Sequence, residues 1–399
     1  RQVMKSAKVV VDRLYKVFGN NPQPALDMLE RGQSKDQIFA ETGQVVGVQN
    51  VSFEVQEGEI FVLMGLSGSG KSTLIRLINR LVDPSAGNVL VDGQNVAQMT
   101  NSQLIKLRRR DMSMVFQSFA LMPHRTVLSN ACFGLEVAGA GKKERERRTM
   151  AVLEQVGLAS FANKLPCELS GGMQQRVGLA RALAVNPSLM IMDEAFSALD
   201  PLKRKEMQDV LLDLQKEQQR TIIFVSHDLE EALRIGSRIA IMEGGRLVQV
   251  GTAQEIIDHP AEEYVRAFFD GVDTNRYLTA GDLMQTDAVP LVASAGEVQA
   301  NGDLYRSSRS DFAFVVDAAR KVQGIVATRR HADASGNLQL NGLDRIDVIH
   351  HRSNLEDVMD RLISSRSPLP VVDGDGCYCG AISQSMVLQA LSKSRGPHV

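Results

Sequence analysis

The sequence predicts an α/β fold with a mostly parallel sheet, followed by a smaller α+β unit made of two similar halves. Three observations predict it. Short unbroken apolar runs at residues 60–64, 189–192 and 221–225 are separated by helical stretches, the alternation that builds parallel sheets covered on both faces. A glycine-rich segment stands directly after the first run and before a helical pattern. Beyond about residue 270 a different unit, strand, acidic turn, Gly-led strand and following helix, occurs twice.

The composition fits this reading. The 399 residues allow two or three domains, each with its own core. With 45 basic and 47 acidic side chains, the formal charge of -2 excludes a general nucleic-acid binder, whose footprint is a basic excess. Hydrophobic residues at 44% exclude wholesale disorder. No unbroken apolar run reaches the roughly 18 residues that suggest a membrane span, and no secretory h-region is visible. Cys132, Cys167, Cys377 and Cys379 are too few for a disulfide framework in a chain this long, which points to a reducing compartment.

Residues 9–17 read as a strand, and residues 20–47 as an insertion between two strand patterns. Within it, Ser34-Lys35-Asp36-Gln37 has capping-box spacing, which predicts a short helix stopped by Thr42-Gly43. Residues 51–55 alternate as a half-buried strand, and Gly58 turns the chain into the apolar run 60–64. A helix is expected over 74–81. Residues 118–165, with the charge run Lys142-Lys143-Glu144-Arg145-Glu146-Arg147-Arg148, read as an all-helical insertion. Residues 239–242 and 247–250, joined by Glu243-Gly244-Gly245-Arg246, read as a hairpin. In the tail, Phe312–Val316 and Asp317 lead to Gly324-Ile325-Val326, and Leu369–Val372 and Asp373 lead to Gly380-Ala381-Ile382.

Gly65-Leu66-Ser67-Gly68-Ser69-Gly70-Lys71-Ser72-Thr73 fits the phosphate-binding loop in full. Its glycines let backbone N–H groups turn inward around phosphates, and the helix N-terminus adds positive potential. Lys71 supplies a point charge for the β- and γ-phosphates, and Ser72 can ligate magnesium. The run ending in Asp193-Glu194 delivers two carboxylates at a strand's C-terminal end. Asp193 is placed to hold magnesium through its waters, and Glu194 to orient or deprotonate an attacking water. Upstream, Leu169-Ser170-Gly171-Gly172-Met173-Gln174-Gln175 makes a second anion-binding helix start. One site does not need two phosphate cradles; a dimer whose chains complete each other's sites does.

With these motifs, residues 9 to about 270 resemble the ATP-binding subunits of ABC transporters, so the resemblance implies a P-loop NTPase domain with a helical subdomain at about 118–170. It further implies roles for single residues. Gln117 matches the Q-loop glutamine that ligates magnesium and senses the γ-phosphate. Ser170, Gly171, Gly172 and Gln174 fall in the signature that caps the partner subunit's ATP. Ser197-Ala198-Leu199-Asp200 looks like the D-loop, and His227 like the switch histidine that contacts the γ-phosphate. Phe18 takes the place of the aromatic that stacks on adenine, with Tyr15 as its competitor.

The stretch Phe116-Gln117-Ser118-Phe119-Ala120-Leu121-Met122-Pro123-His124 looks like the Q-loop region of bacterial importers. With the 20–47 insertion and the tail, it narrows the resemblance to the ATPase subunit of quaternary-amine importers (ProV-type) for glycine betaine, proline betaine or choline. The partners so implied are a transmembrane permease, a substrate-binding protein indirectly, and a second copy of the chain. The implied ligands are ATP and Mg2+, and the implied place is the cytoplasmic face of the bacterial inner membrane. An importer ATPase for another small solute, or a soluble non-transport ABC ATPase, stays open as the alternative.

The tail, residues 271–399, resembles a tandem of cystathionine-β-synthase-type (CBS) modules. The ligand-binding version offers a hydroxyl after the Gly-led strand and an aspartate three positions on. Here those places hold Ala327 and Arg330, then Ser383 and Met386, so a dimerising or salt-sensing role is expected rather than adenosine binding. Arg108-Arg109-Arg110 is expected to be a solvated helix face, Cys377-Tyr378-Cys379 a turn, and His350-His351 no metal site.

Overall fold

The structure is a computed structural model and describes residues 7–117, 120–269, 278–293, 311–327, 344–365 and 367–393. The chain divides into two compact units, Arg1–Asp270 and Gly271–Val399.

The first unit opens with β1 (Ala7–Phe18), followed by α1 (Gln23–Glu30) and α2 (Lys35–Thr42). Ser34 caps α2 in a full capping box and Gly43 ends it in the left-handed region, as the spacing predicts. Two differences appear here. Helix α1 was not legible, and the insertion ends at residue 44, because β2 (Val45–Gln56) starts earlier than its alternation suggests. Ala25, Leu26, Met28 and Ile38 close on Val17 and Val46, so the insertion has a small core of its own.

Next come β3 (Ile60–Met64), α3 (Lys71–Ile78), β4 (Ala86–Val91), β5 (Gln94–Asn95), α4 (Asn101–Arg110) and β6 (Met112–Val115). Helix α3 runs over 71–78 instead of 74–81. It begins inside the glycine-rich motif, and it stops where Arg80 turns left-handed at φ 53°. Arg108 corrects the expectation of a wholly solvated face: its Nε and Nη2 donate to the Asn79 carbonyl at 3.0 and 2.8 Å, closing the end of α3.

The helical layer holds α5 (Val127–Val137) and α6 (Lys142–Gln155), and α7 (Gly171–Ala184) packs against both, so the layer extends past residue 170 to 184. The chain continues through β7 (Leu189–Asp193), α8 (Pro201–Gln218), β8 (Thr221–Val225), α9 (Leu229–Ile235), β9 (Arg238–Glu243), β10 (Arg246–Gly251), α10 (Ala253–Asp258) and α11 (Glu263–Phe269). β9 and β10 form the expected antiparallel hairpin, with Gly244 and Gly245 both at positive φ.

Two sheets result. One is antiparallel, in the order β2-β1-β4-β5; the other runs β10-β9-β3-β8-β7-β6 and is parallel except for β10. Phe61, Leu63, Leu189, Ile191, Ile223 and Val225, alternate residues of three parallel strands, share one core with α3 and the antiparallel sheet. The other face is buried too, with Phe224 of β8 against Phe196 at 5.5 Å between ring centroids. Covered on both faces, these strands are apolar throughout except at their ends, where Thr221 opens β8 and Asp193 closes β7. Each fully buried Phe, Leu or Ile contributes about 1.5–3 kcal/mol, and this is why the runs read so plainly.

The second unit holds α12 (Ala280–Leu283) and two three-stranded sheets of one design. β11 (Leu291–Ala293) lies parallel to β12 (Phe312–Val316), which pairs antiparallel with β13 (Val322–Ala327). β14 (Ile349–His350), β15 (Leu369–Val372) and β16 (Tyr378–Ile382) repeat that order and polarity. Helices Leu355–Ser364 and Gln384–Lys393 flank the second sheet. The bridges Gln285↔Ala381 and Lys321↔Cys377 tie the two halves together. Cys379 lies within β16, so the cysteine pair is not a turn throughout. Arg330, the helix expected after β13 and the chain's last residues lie outside the described residues.

Candidate active site

Four neighbouring parallel strands end on one line. Leu63 of β3 is the Cα partner of Val225 in β8, Val225 of Asp193 in β7, and Met192 of Val115 in β6. The residues that follow those ends are the glycine-rich loop, Ser226-His227, Glu194 and Gln117. This is the carboxyl edge at which open α/β sheets bind ligands.

The loop is shaped by backbone that only glycine allows. A Cβ on Gly65 would lie 2.2 Å from the Met242 carbonyl, and one on Gly70, at φ +99°, 2.6 Å from the Gly47 carbonyl. Ser67 and Gly68 form its exposed tip, and Ser69 is buried beneath it. The Gly245 amide donates to the Ser69 carbonyl at 2.9 Å, so the β9–β10 hairpin supports the loop from behind. Lys71 is buried, and its Nζ donates to the carbonyls of Gly65 and Leu66 at 2.8 and 3.0 Å. Burial lowers its pKa, while Glu194 and Asp193 pull it back up.

Ser72 follows in the first turn of α3, and its Oγ donates to Asp193 Oδ1 at 3.2 Å. Burial holds the Asp193 carboxyl above its ordinary range, opposed by Ser72. Glu194 leaves the strand at φ 46°, a left-handed residue whose cost is about 1–2 kcal/mol. Its Oε2 accepts from Gln117 Nε2 at 3.2 Å and lies 3.4 Å from His227 Nδ1. The structure thus brings Lys71, Ser72, Asp193, Glu194, Gln117 and His227 together. Among the described residues no group of three or more His, Cys, Asp or Glu side chains converges as a metal cluster.

Phe18 and Tyr15 separate clearly. Tyr15 is partly buried against the insertion's small core, whereas Phe18 is 42% exposed. A Cβ on Gly47 would lie 2.7 Å from the Phe18 ring and 3.3 Å from the Thr73 methyl, which puts the ring beside the start of α3.

The second anion-binding feature stands on another layer. Ser170 is the N-cap of α7, its Oγ accepting from the Met173 amide at 3.4 Å, and Gly171 and Gly172 form the first turn. Gln174 turns back on its own chain, donating to the carbonyls of Pro166 and Leu169 at 3.0 and 3.3 Å. A cavity of about 170 Å³ beside Ser170 and Gly172 is lined by Met173, Arg176, Lys203 and Glu206. Asp200 caps α8 through the Lys203 amide at 3.1 Å, with Pro201 as the first helical residue.

Some supporting residues were not legible. Gln175 donates to the Ala195 carbonyl, tying α7 to the residue after Glu194. Ser197 Oγ lies within reach of Gln117 Nε2 at 3.4 Å. The Tyr264 hydroxyl donates to the Met242 carbonyl at 3.3 Å, behind Gly65. Each joins positions far apart in sequence, and no local pattern announces such a pair. In the tail, Ser383 Oγ accepts from the Met386 amide at 3.4 Å and caps the last helix. The His350 and His351 rings lie 4.4 Å apart, and burial lowers both pKa values.

Comparison with known proteins agrees with this geometry. A family model described as "ABC transporter" matches residues 48–197. The glycine betaine/proline betaine transport system ATP-binding protein ProV of Salmonella typhimurium is 47% identical over 394 residues, covering 98% of each chain. The glycine betaine/carnitine transport ATP-binding protein GbuA of Listeria monocytogenes is 45% identical over 394 residues, 97% of this chain and 98% of the relative. Among solved structures, a dimeric post-hydrolysis state of the ATP-binding cassette MJ0796, bound to ADP and Pi, matches with a TM-score of 0.52 and 31% identity. It covers 61% of this chain and 98% of that one. No helix among the described residues is long and apolar enough to cross a membrane. The chain belongs to the ABC transporter ATPases, among the ATP-binding proteins of glycine betaine transport systems.

Proposed function

We propose that this chain is the ATP-hydrolysing subunit of an importer for glycine betaine or a related quaternary amine. It works as a pair of chains on the cytoplasmic face of the membrane, beneath a permease. The observation that carries the reading is the alignment of Lys71, Ser72, Asp193, Glu194, Gln117 and His227 at the carboxyl ends of four adjacent strands. Ser170 and its glycines belong instead to the helical layer. Names such as those of ProV and GbuA, over nearly the whole length, support the solute class.

In this reading the Gly65–Gly70 backbone and Lys71 receive the phosphates of ATP on one chain, and Phe18 receives the base. Ser170, Gly171 and Gly172 of the partner close over the γ-phosphate, with their exposed N–H groups and hydroxyl as donors. Asp200, beside that seam, helps register the two chains. Closure therefore follows ATP binding, because the second cradle gains its ligand only then. Glu194 takes the proton of the attacking water, while Gln117 and His227 hold the geometry around the γ-phosphate. Loss of that phosphate removes the shared ligand and the pair opens.

The oxygen donors Ser72 Oγ and Asp193 Oδ1, 3.2 Å apart, suit Mg2+, which is bound through one or two carboxylates together with substrate phosphates. Gln117 completes the set of residues that would hold it. When bound, it neutralises charge developing on the β- and γ-phosphates.

We assign the tail to a CBS-type pair that serves dimerisation or salt sensing. In support, its two sheets repeat one strand order, and the Ser383 hydroxyl is engaged locally by the Met386 amide and the Ser385 hydroxyl.

The test is Ser170→Glu in the full chain. One chain should still bind ATP, while ATP-dependent dimerisation and turnover are lost. Together with its permease, the parental chain should restore radiolabelled glycine betaine uptake to deficient cells, and Ser170→Glu should not. Undiminished ATP-dependent dimerisation of Ser170→Glu would refute the shared site.

A further inference from the structure

Behind His227 lies a buried polar chain that the reading above does not use. Glu231, in the first turn of α9, is 5% exposed, and Ser226 and Gln208 are 2% and 5% exposed. The Ser226 hydroxyl meets Glu231 Oε2 at 2.5 Å, and Gln208 Nε2 donates to Glu231 Oε1 at 3.1 Å. Ser226 Oγ also accepts from the Asp228 amide at 3.0 Å, which folds the backbone into a short turn with His227 at its centre. We propose that Glu231 is a positioning residue for His227: its carboxylate fixes the Ser226 hydroxyl, and that hydroxyl fixes the turn that presents the imidazole to Glu194. The inference rests on the reading of His227 as a γ-phosphate contact.

Polarity explains why a carboxylate stands there. Gln208 is not free to flip its amide, because its Oε1 accepts from Arg234 Nη1 at 3.1 Å. Its NH2 must therefore face position 231, where an acceptor is required. Ser226 directs its proton to the same carboxylate at 2.5 Å in preference to the Asp228 carbonyl at 3.3 Å, so that its lone pairs remain for the Asp228 amide. Burial raises the Glu231 pKa, opposed by the Ser226 and Gln208 hydrogen bonds. On the far side of the histidine, Arg204 Nη1 donates to Asp228 Oδ2 at 2.6 Å and Nη2 to the Leu199 carbonyl at 3.3 Å. The histidine turn is thus anchored to α8 and to the segment that precedes it. That segment ends in Asp200.

The experiment uses the full chain and three substitutions. Glu231→Gln places a second NH2 against that of Gln208 or reverses the Ser226 hydroxyl. It should lower kcat roughly tenfold or more while the KM for ATP stays within about twofold, since a misplacement of about 1 Å can cost a hundredfold. Adding Gln208→Glu restores an acceptor opposite the new amide and should recover most of kcat. In a His227→Ala background, Glu231→Gln should change the residual single-turnover rate less than about twofold, because its effect runs through the absent imidazole. Parental kcat in Glu231→Gln, or the same loss with and without His227, would overturn the proposal. If Glu231→Gln does not fold, Ser226→Ala is read by the same two criteria. Parental turnover in His227→Ala would instead overturn the underlying assignment of the histidine.

Discussion

Replacing Glu194 by glutamine separates proton abstraction from everything else the site does. The carboxylate's Oε2 takes both contacts, from Gln117 Nε2 at 3.2 Å and near His227 Nδ1 at 3.4 Å. A glutamine can keep its carbonyl oxygen at that position and put its NH2 where Oε1 was, so the surroundings need not move. Lys71, Ser72 and the loop, which are assigned to the phosphates, keep their hydrogen bonds in the exchange, and Asp193 still supports the Lys71 charge when that of Glu194 is removed. What disappears is the proton acceptor. General-base catalysis contributes typically 10²–10⁴-fold, or about 3–5 kcal/mol of barrier at 1.36 kcal/mol per factor of ten. ATP affinity should change by less than about twofold, since the lost proton acceptor does not bind the nucleotide. The assay pairs phosphate release at saturating ATP with titration of a fluorescent ATP analogue, and with size-exclusion chromatography in ATP. A long-lived ATP-bound dimer with turnover reduced at least a hundredfold is expected. Turnover within tenfold of the parent would remove Glu194 as the base, and lost binding would show that the site had collapsed.

Three further predictions test other links. Phe18→Ala should weaken ATP binding by about 5- to 150-fold, the equivalent of the roughly 1–3 kcal/mol found for base–aromatic stacking, while Tyr15→Leu, which removes the ring but keeps an apolar side chain against the insertion's core, leaves it unchanged; equilibrium titration of both decides between them. Gly70→Ala brings a Cβ to 2.6 Å from one backbone oxygen and 3.2 Å from the Gly245 Cα, whereas on Gly68 it would meet nothing within 4 Å; nucleotide affinity should therefore fall at least about tenfold more in the first, beyond the 1–2 kcal/mol of left-handed strain common to both. Tyr378 is buried, its hydroxyl has no hydrogen-bond partner among the described residues, and its pKa is pushed up to about 12. Tyr378→Phe should stabilise the tail by about 1 kcal/mol in thermal unfolding. Because the folded value exceeds the ordinary 10.0, the parental tail should lose stability as pH rises from 10 towards 12, and the variant should lose less.

Much of this was legible because the strands and loops concerned obey local rules. β3, β7 and β8 are buried on every residue, so their apolar runs stand out without any alternation. The Gly65–Thr73 segment carries its backbone requirement in its own glycines, and Ser34 and Gln37 announce α2 by spacing alone. The edge strand β6 was missed: two of its four residues are only half buried, and at that length it lacks a period. Gln117 was placed by resemblance and not by pattern, for the same reason. Helix α1 was missed because its N-cap, Pro22, contributes no side-chain hydrogen bond. The supports at Gln175, Tyr264, Glu231 and Arg204 reach carbonyls or side chains twenty or more residues along the chain, and folding alone brings them together.

The order of the parallel sheet has a practical consequence. β6 is one of its two edge strands, four residues long, and Gln117 follows two residues beyond its end, while β3 with the phosphate loop lies among the interior strands. Fraying under mild denaturant begins at such margins. A partly damaged sample would then let go of Gln117 while Lys71 and Asp193 still stood in place. It would go on retaining nucleotide after it had stopped consuming it, so a binding signal alone overstates how much competent enzyme a preparation contains.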